Sequence, residues 1–196
     1  MRNTAMSTPD AALRQLLDGN KRFMSASLTH PNQDDTRRIS LESGQAPFAA
    51  VLACADSRVP PEVLFDQGLG DLFVVRVAGN IINDQLLGSL EYAAAHLDTS
   101  LILVLGHTNC GAVGAVAAGA ELEGHIASLA PAIQPAVDKV KEQEGNLTDN
   151  AAREVARMTA DQLRSSEPIL ANLIKEGKLD VVPAFYDLES GEVTLL

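Results

Sequence analysis

FAAVLACADSR, from Phe48 to Arg58, runs six apolar residues straight into a cysteine, an acid and an arginine. A short apolar run without polar alternation suits a strand buried on both faces. Three further stretches share that character: Leu72 to Val77 (LFVVRV), Leu101 to Leu105 (LILVL) and Leu179 to Phe185 (LDVVPAF). Between the second and third strands, Asp84 is placed to cap a helix on which Leu86, Leu87, Leu90, Ala93, Ala94 and Leu97 form one apolar stripe, with Tyr92 off it. Helical spacing returns from about Val113, and again from Asn150 to Glu176, where Pro168 interrupts it and Gly177 ends it. Strands alternating with helices predict a parallel sheet. The closing VTLL, after the turn-forming Ser190-Gly191, adds an edge strand that can run antiparallel. The fold class is therefore α/β, a central, mostly parallel β-sheet flanked by helices.

Ahead of this core, Thr8-Pro9-Asp10 reads as an N-cap, a proline at the first helical position and an acid in the first turn. Leu13, Leu16, Leu17, Phe23 and Met24 continue at helical spacing. The polar stretch Thr29 to Thr36, with Pro31 inside it, reads as a connector that lets the first helix reach another subunit. The expected organisation is one domain over residues 1–196, with a helical arm over about 1–45 and an α/β core over about 46–196.

Composition narrows the function. Aromatic residues make up only 4% of the chain, so alanine, valine and leucine carry the packing, which favours helices laid closely on strands. A net charge of −11 repels both a nucleic-acid backbone and an anionic membrane surface. MRNTAMSTPD lacks the apolar centre of a secretion signal, and no later stretch is long and apolar enough to span a bilayer. A soluble, cytoplasmic chain is expected, and in that reducing setting its two cysteines read as thiols or metal ligands rather than a disulfide.

Cys54 follows one predicted strand directly, and His107 and Cys110 follow another. Ligands of open parallel sheets bind at the carboxyl ends of the strands, where these three residues can converge. Two thiolates and an imidazole suit a borderline-soft ion such as Zn²⁺ and leave a fourth position open for catalysis. Taken as residue types alone, they fit buried core side chains as well. Asp56 and Arg58 shift the balance, because an extended backbone would turn Cys54, Asp56 and Arg58 to the same side. Arg58 would then keep Asp56 ionised and oriented beside the metal. Gly106 and Gly111 bracket the second cluster and allow either a close backbone approach to a bound group or tight helix packing. The spacing from Cys54 to Arg58 is too short for a cysteine phosphatase loop, and Ser57 lacks a nucleophile elbow.

CADSRVP (Cys54 to Pro60) and GHTNCGA (Gly106 to Ala112) resemble the two signature segments of β-class carbonic anhydrases. The likeness continues through FVVRVAGN (Phe73 to Asn80) and LEYAAAHL (Leu90 to Leu97). The resemblance implies one Zn²⁺ per chain on Cys54, His107 and Cys110, with an Asp56–Arg58 dyad. It also implies a closed form in which Asp56 becomes the fourth ligand. A homodimer is implied, able to pair into a tetramer or larger, with N-terminal helices embracing the neighbour. Gln45 matches a substrate-orienting amide of the plant-like subgroup, and Phe73, Ala78 and Tyr92 match its narrow apolar pocket, partly supplied by the partner chain. Gly111 belongs to the same substrate-binding set. Position 78 is usually valine in the family. Val51 and Ala53 stand where the bicarbonate-regulated subgroup carries Trp and Gly, so no such regulatory site is expected. The implied reaction is the reversible hydration of carbon dioxide to bicarbonate and a proton by zinc-bound hydroxide. Its rivals are hydrolysis of carbonyl sulfide or carbon disulfide at the same site, and a non-catalytic zinc-binding relative.

Overall fold

Thr8 opens the first helix by accepting the Ala11 N–H on its hydroxyl at 3.3 Å, and Pro9 follows where a missing donor costs nothing. The structure, a computed structural model, describes residues 7–196, so most of the N-terminal stretch read for a secretion signal lies outside the described residues. The helices in chain order are α1 (Pro9–Met24), α2 (Asp35–Ser40), α3 (Pro61–Leu64), α4 (Asp84–His96), α5 (Gly111–Ala117), α6 (Ala130–Val140), α7 (Leu147–Arg164) and α8 (Leu170–Lys175). The strands are β1 (Ala49–Ala53), β2 (Leu72–Arg76), β3 (Leu101–His107), β4 (Asp180–Tyr186) and β5 (Val193–Leu195).

The strands form one five-stranded sheet in the order β2-β1-β3-β4-β5. All pairings are parallel except β4 with β5, so VTLL does fold back as an antiparallel edge. Both faces are covered. Leu101, Leu103 and Leu105 of β3 pack with Leu16, Phe65 and Ala12 on one side, while Ile102 and Val104 pack with Leu90, Leu163 and Leu170 on the other. This two-sided burial is why the strands read as unbroken apolar runs. In register, Ala53 pairs with Leu105, so the next residue of each strand brings Cys54 level with Gly106 and beside His107. A Cβ on Gly106 would come within 2.9 Å of the Ala152 carbonyl oxygen, so glycine lets α7 lie close against β3 at the site.

Several boundaries differ from the sequence reading for identifiable reasons. The connector ends early because Asp34 caps α2, its carboxylate accepting the Arg37 N–H at 2.7 Å. At α4 the cap is Asn83, whose side chain accepts the Leu86 N–H at 3.0 Å, and Asp84 sits in the first turn instead. The helical run from Asn150 to Glu176 is two helices, α7 and α8, parted around Pro168 and closed by Gly177 at φ +69°. Helix α6 carries Pro131 and Pro135 and was not separated from the helical spacing that begins at about Val113. It forms because Ile133, Ala136, Val137 and Val140 bury one helical face.

Helix α1 is seated on its own chain. Asn20 donates to the carbonyls of Leu64 and Gly191 and accepts from Val193 N–H. Buried Asp66 accepts from Arg22 Nε at 2.6 Å, from the Thr29 hydroxyl and from the Thr29 and His30 amides. Burial alone would raise the Asp66 pKa, but these donors outweigh it and hold the carboxyl well below the usual range. A depressed folded pKa contributes stability that is fully present above the unfolded value, about 3.9, begins to fade below it and is lost as pH falls through the folded pKa. Asp66→Asn is expected to cost about 2 kcal/mol at pH 7. The penalty should shrink when urea midpoints are compared at pH 3, and an equal penalty at both pH values would contradict the assignment.

Candidate metal centre

Three elements deliver the donors. Cys54 is the first residue past β1, His107 is the last of β3, and Cys110 stands at the N-cap of α5 without spending its side chain on the helix. All three are buried, and one donor atom from each lies within 4.8 Å of the others. The two sulfurs are 3.9 Å apart, close to the ~3.8 Å edge of a tetrahedron with metal–sulfur bonds of about 2.3 Å. His107 Nδ1 lies 2.9 Å from the Thr108 carbonyl oxygen, an arrangement that places the ring proton on Nδ1. Its Nε2 is then a lone pair, buried and without a hydrogen-bond partner among the described residues. A buried, unpartnered imidazole nitrogen beside two thiols is the donor set of a borderline-soft divalent cation, so the residues present fit Zn²⁺.

The Cys54 sulfur also accepts the Gly79 N–H at 3.3 Å. Gly79 makes this approach at φ +74°, and a Cβ there would stand 3.0 Å from Ile133 Cδ1. Between the thiols, the hydrogen bond from Cys110 is the chief cause that pulls the Cys54 pKa down against burial, aided by the Gly79 amide. Cys110 is pushed up, first by donating to Cys54 and then by its own burial. The pair thus holds one proton tightly, the one that a cation bound to both sulfurs displaces.

Asp56 and Arg58 meet, but not through extended backbone. The chain turns here: Val59 N–H bonds to the Asp56 carbonyl at 3.0 Å, and Asp56 Oδ1 accepts the Arg58 N–H at 2.9 Å. The expected alternation is therefore corrected to a turn that folds the guanidinium back onto the carboxylate. Arg58 Nε donates to Oδ1 at 2.9 Å and Nη2 to Oδ2 at 2.6 Å. This fork keeps the Asp56 carboxyl ionised far below the usual range. Oδ2 lies 3.9 Å from His107 Nε2, so the acid reaches the same point as the three donors.

Sequence reasoning missed Arg76. It closes β2 and donates from Nε to the Cys54 carbonyl at 2.9 Å and from Nη2 to the Asp56 carbonyl at 2.5 Å, pinning the turn from beneath. An arginine ending an otherwise apolar strand was the available signal.

The expected pocket residues separate into two groups. Ala78 precedes Gly79 and Gly111 follows Cys110, so both flank the centre. Phe73 pairs with Ala50, three residues and about 10 Å back from the end of its strand. Tyr92 is 49% exposed on α4, with its ring centroid 6.4 Å from that of Phe73. Gln45 is exposed in the segment leading into β1, at the end of that strand opposite Cys54. Within one chain, Gln45, Phe73 and Tyr92 are not brought to the Cys-His-Cys group.

Comparison with known proteins places this arrangement among relatives. A family model described as carbonic anhydrase matches residues 49–193. Carbonic anhydrase 2 of Mycobacterium tuberculosis is 37% identical over 193 residues, covering 96% of this chain and 93% of its own. A carbonic anhydrase of Mycolicibacterium smegmatis is 39% identical over 193 residues, covering 96% and 94%. Among solved structures, a β-carbonic anhydrase of Coccomyxa, in complex with acetazolamide, is similar with a TM-score of 0.73 at 27% identity, covering 94% of this chain and 86% of its own. A tetrameric β-carbonic anhydrase of Sordaria macrospora shares the fold with a TM-score of 0.76 at 23% identity, covering 94% and 96%.

Proposed function

This chain belongs to the β-carbonic anhydrase family, and from that membership we propose that it hydrates carbon dioxide reversibly to bicarbonate and a proton, with one Zn²⁺ held by Cys54, His107 and Cys110. The observation that carries the reading is the buried, unpartnered Nε2 of His107 closing on two sulfurs 3.9 Å apart, with the Asp56 carboxylate at its edge. When bound, Zn²⁺ acidifies a coordinated water and supplies hydroxide, less readily beside two thiolates than beside three imidazoles, so activity is expected to rise into alkaline pH.

The chain's own residues supply orientation. The Thr108 carbonyl fixes the His107 tautomer that leaves Nε2 free. Asp56, ionised by the Arg58 fork, can accept a hydrogen bond but not donate one. It therefore selects a nucleophile whose hydrogen faces the carboxylate and whose lone pair faces the substrate. Arg76 holds the Cys54 and Asp56 carbonyls that lead into that turn, so the acceptor is aimed before substrate arrives.

The position of Gln45, Phe73 and Tyr92 away from their own centre supports a homodimer in which they complete the partner's pocket around an apolar, linear substrate. No helix among the described residues is long and apolar enough to cross a membrane, which is compatible with the cytoplasmic location we propose.

Stopped-flow hydration of carbon dioxide at alkaline pH, on protein whose metal content and solution mass are both measured, tests the reading. We expect a rate proportional to zinc, carried by a species of dimer mass or larger. One zinc per chain without hydration would overturn it, and turnover of carbonyl sulfide in its place would move the assignment to a sulfur-gas hydrolase.

A further inference from the structure

We propose that Asp149, in the first turn of α7, is a positioning residue that ties together the two loops of the metal centre. Asn109 lies between the ligands His107 and Cys110 and adopts φ +52°, a left-handed conformation that asparagine tolerates better than most residues. Its two backbone polar groups point to different parts of the molecule. The Asn109 N–H donates to Asp149 Oδ1 at 2.8 Å, and the Asn109 carbonyl accepts from Arg58 Nη2 at 3.3 Å. One residue thus links α7, the ligand loop and the Asp56–Arg58 turn, which come from segments far apart in sequence.

Asp149 is a firm anchor for this link. Its own N–H donates to the cap residue Asn146 at 3.1 Å, and a carboxylate is favoured in the first turn of a helix. Helix α7 in turn lies against β3 at Gly106, the residue before His107. Movement of the ligand loop relative to the sheet is therefore opposed from α7, and the register of Arg58 against Asn109 follows it. The inference rests on the reading that Cys54, His107 and Cys110 hold zinc.

Three variants separate positioning from helix stability. Asp149→Ala removes the acceptor, Asp149→Asn keeps an acceptor oxygen but loses the charge, and Asn146→Ala removes the α7 cap without touching Asn109. From zinc-loaded protein, transfer of zinc to a chelator should be about tenfold faster in Asp149→Ala and within about twofold of wild type in Asp149→Asn. Asn146→Ala should lower the melting temperature but speed zinc transfer far less than Asp149→Ala does, because the Asp149 carboxylate is still present. In metal-free protein, hydrogen exchange at the Asn109 amide should accelerate most in Asp149→Ala. Wild-type zinc transfer in Asp149→Ala overturns the proposal. So does equally fast transfer in Asp149→Asn, since helix charge rather than hydrogen-bond acceptance would then be at work. If Asp149→Ala does not fold, Asp149→Gln, with its acceptor misplaced by one methylene, takes its place with the same expectations. A wild-type protein that binds no zinc would count against the metal reading alone, and the Asn109 exchange rates would still decide the role of Asp149.

Discussion

Cys110→Ala is expected to abolish stoichiometric zinc binding and to lower carbon dioxide hydration by at least about 10³-fold, more than 4 kcal/mol of lost transition-state stabilisation. Two donors remain in the variant, too few to hold the cation against water and buffer. The fold should survive, because the Cys110 side chain makes no capping hydrogen bond to α5 and contributes only a small apolar volume to a cluster built on Val113, Ile133 and Phe185. Alanine is the informative replacement. Serine would leave a buried hydroxyl in an apolar setting and confuse loss of metal with loss of stability. Metal analysis, hydration rate and melting temperature on the same sample separate these effects. A variant that kept one zinc per chain and near-native rates would remove Cys110 from the ligand set and with it the proposed centre.

The donors were legible in the sequence because Cys54 and His107 sit at strand ends, which are marked by where apolar runs stop, and Cys110 follows only three residues after His107. Cys54 closes FAAVLA, and His107 completes a strand that the run LILVL had already announced. The antiparallel edge was legible because Ser190-Gly191 forces a turn within reach of β4. What escaped was chemistry that depends on side chains competing for backbone. Asn83 rather than Asp84 caps α4, a choice between two adjacent capable residues that periodicity does not resolve. The Asp56–Arg58 pair was found by residue type, but its geometry was misread: extended alternation ignores that an aspartate readily accepts the amide two residues on, which is what closes the turn. Helix α6 was hidden by its prolines, whose local cost is outweighed by the burial of one face. Arg76 and Asp149 were hidden for a further reason. Their partners are backbone groups of segments distant in sequence, and no local pattern encodes such a contact.

Asp56→Asn tests the other half of the centre, and its expected effect is a fall of about 10² in kcat/KM with zinc retained. The substitution preserves volume and one acceptor oxygen but presents an amide N–H₂ where the carboxylate accepted. A donor in that place either leaves the nucleophile's hydrogen without an acceptor or turns its lone pair away from the substrate. The structural cost should be small: the Arg58 side chain is 52% exposed and can satisfy its donors with water when the anion is gone. Asp56 is ionised far below neutrality, so its own titration cannot shape activity between neutral and alkaline pH. The variant should therefore show a lower rate but an unshifted alkaline rise, the signature of a lost acceptor rather than a changed metal environment. A profile displaced along the pH axis would assign Asp56 to tuning the metal, and undiminished hydration would remove it from the mechanism.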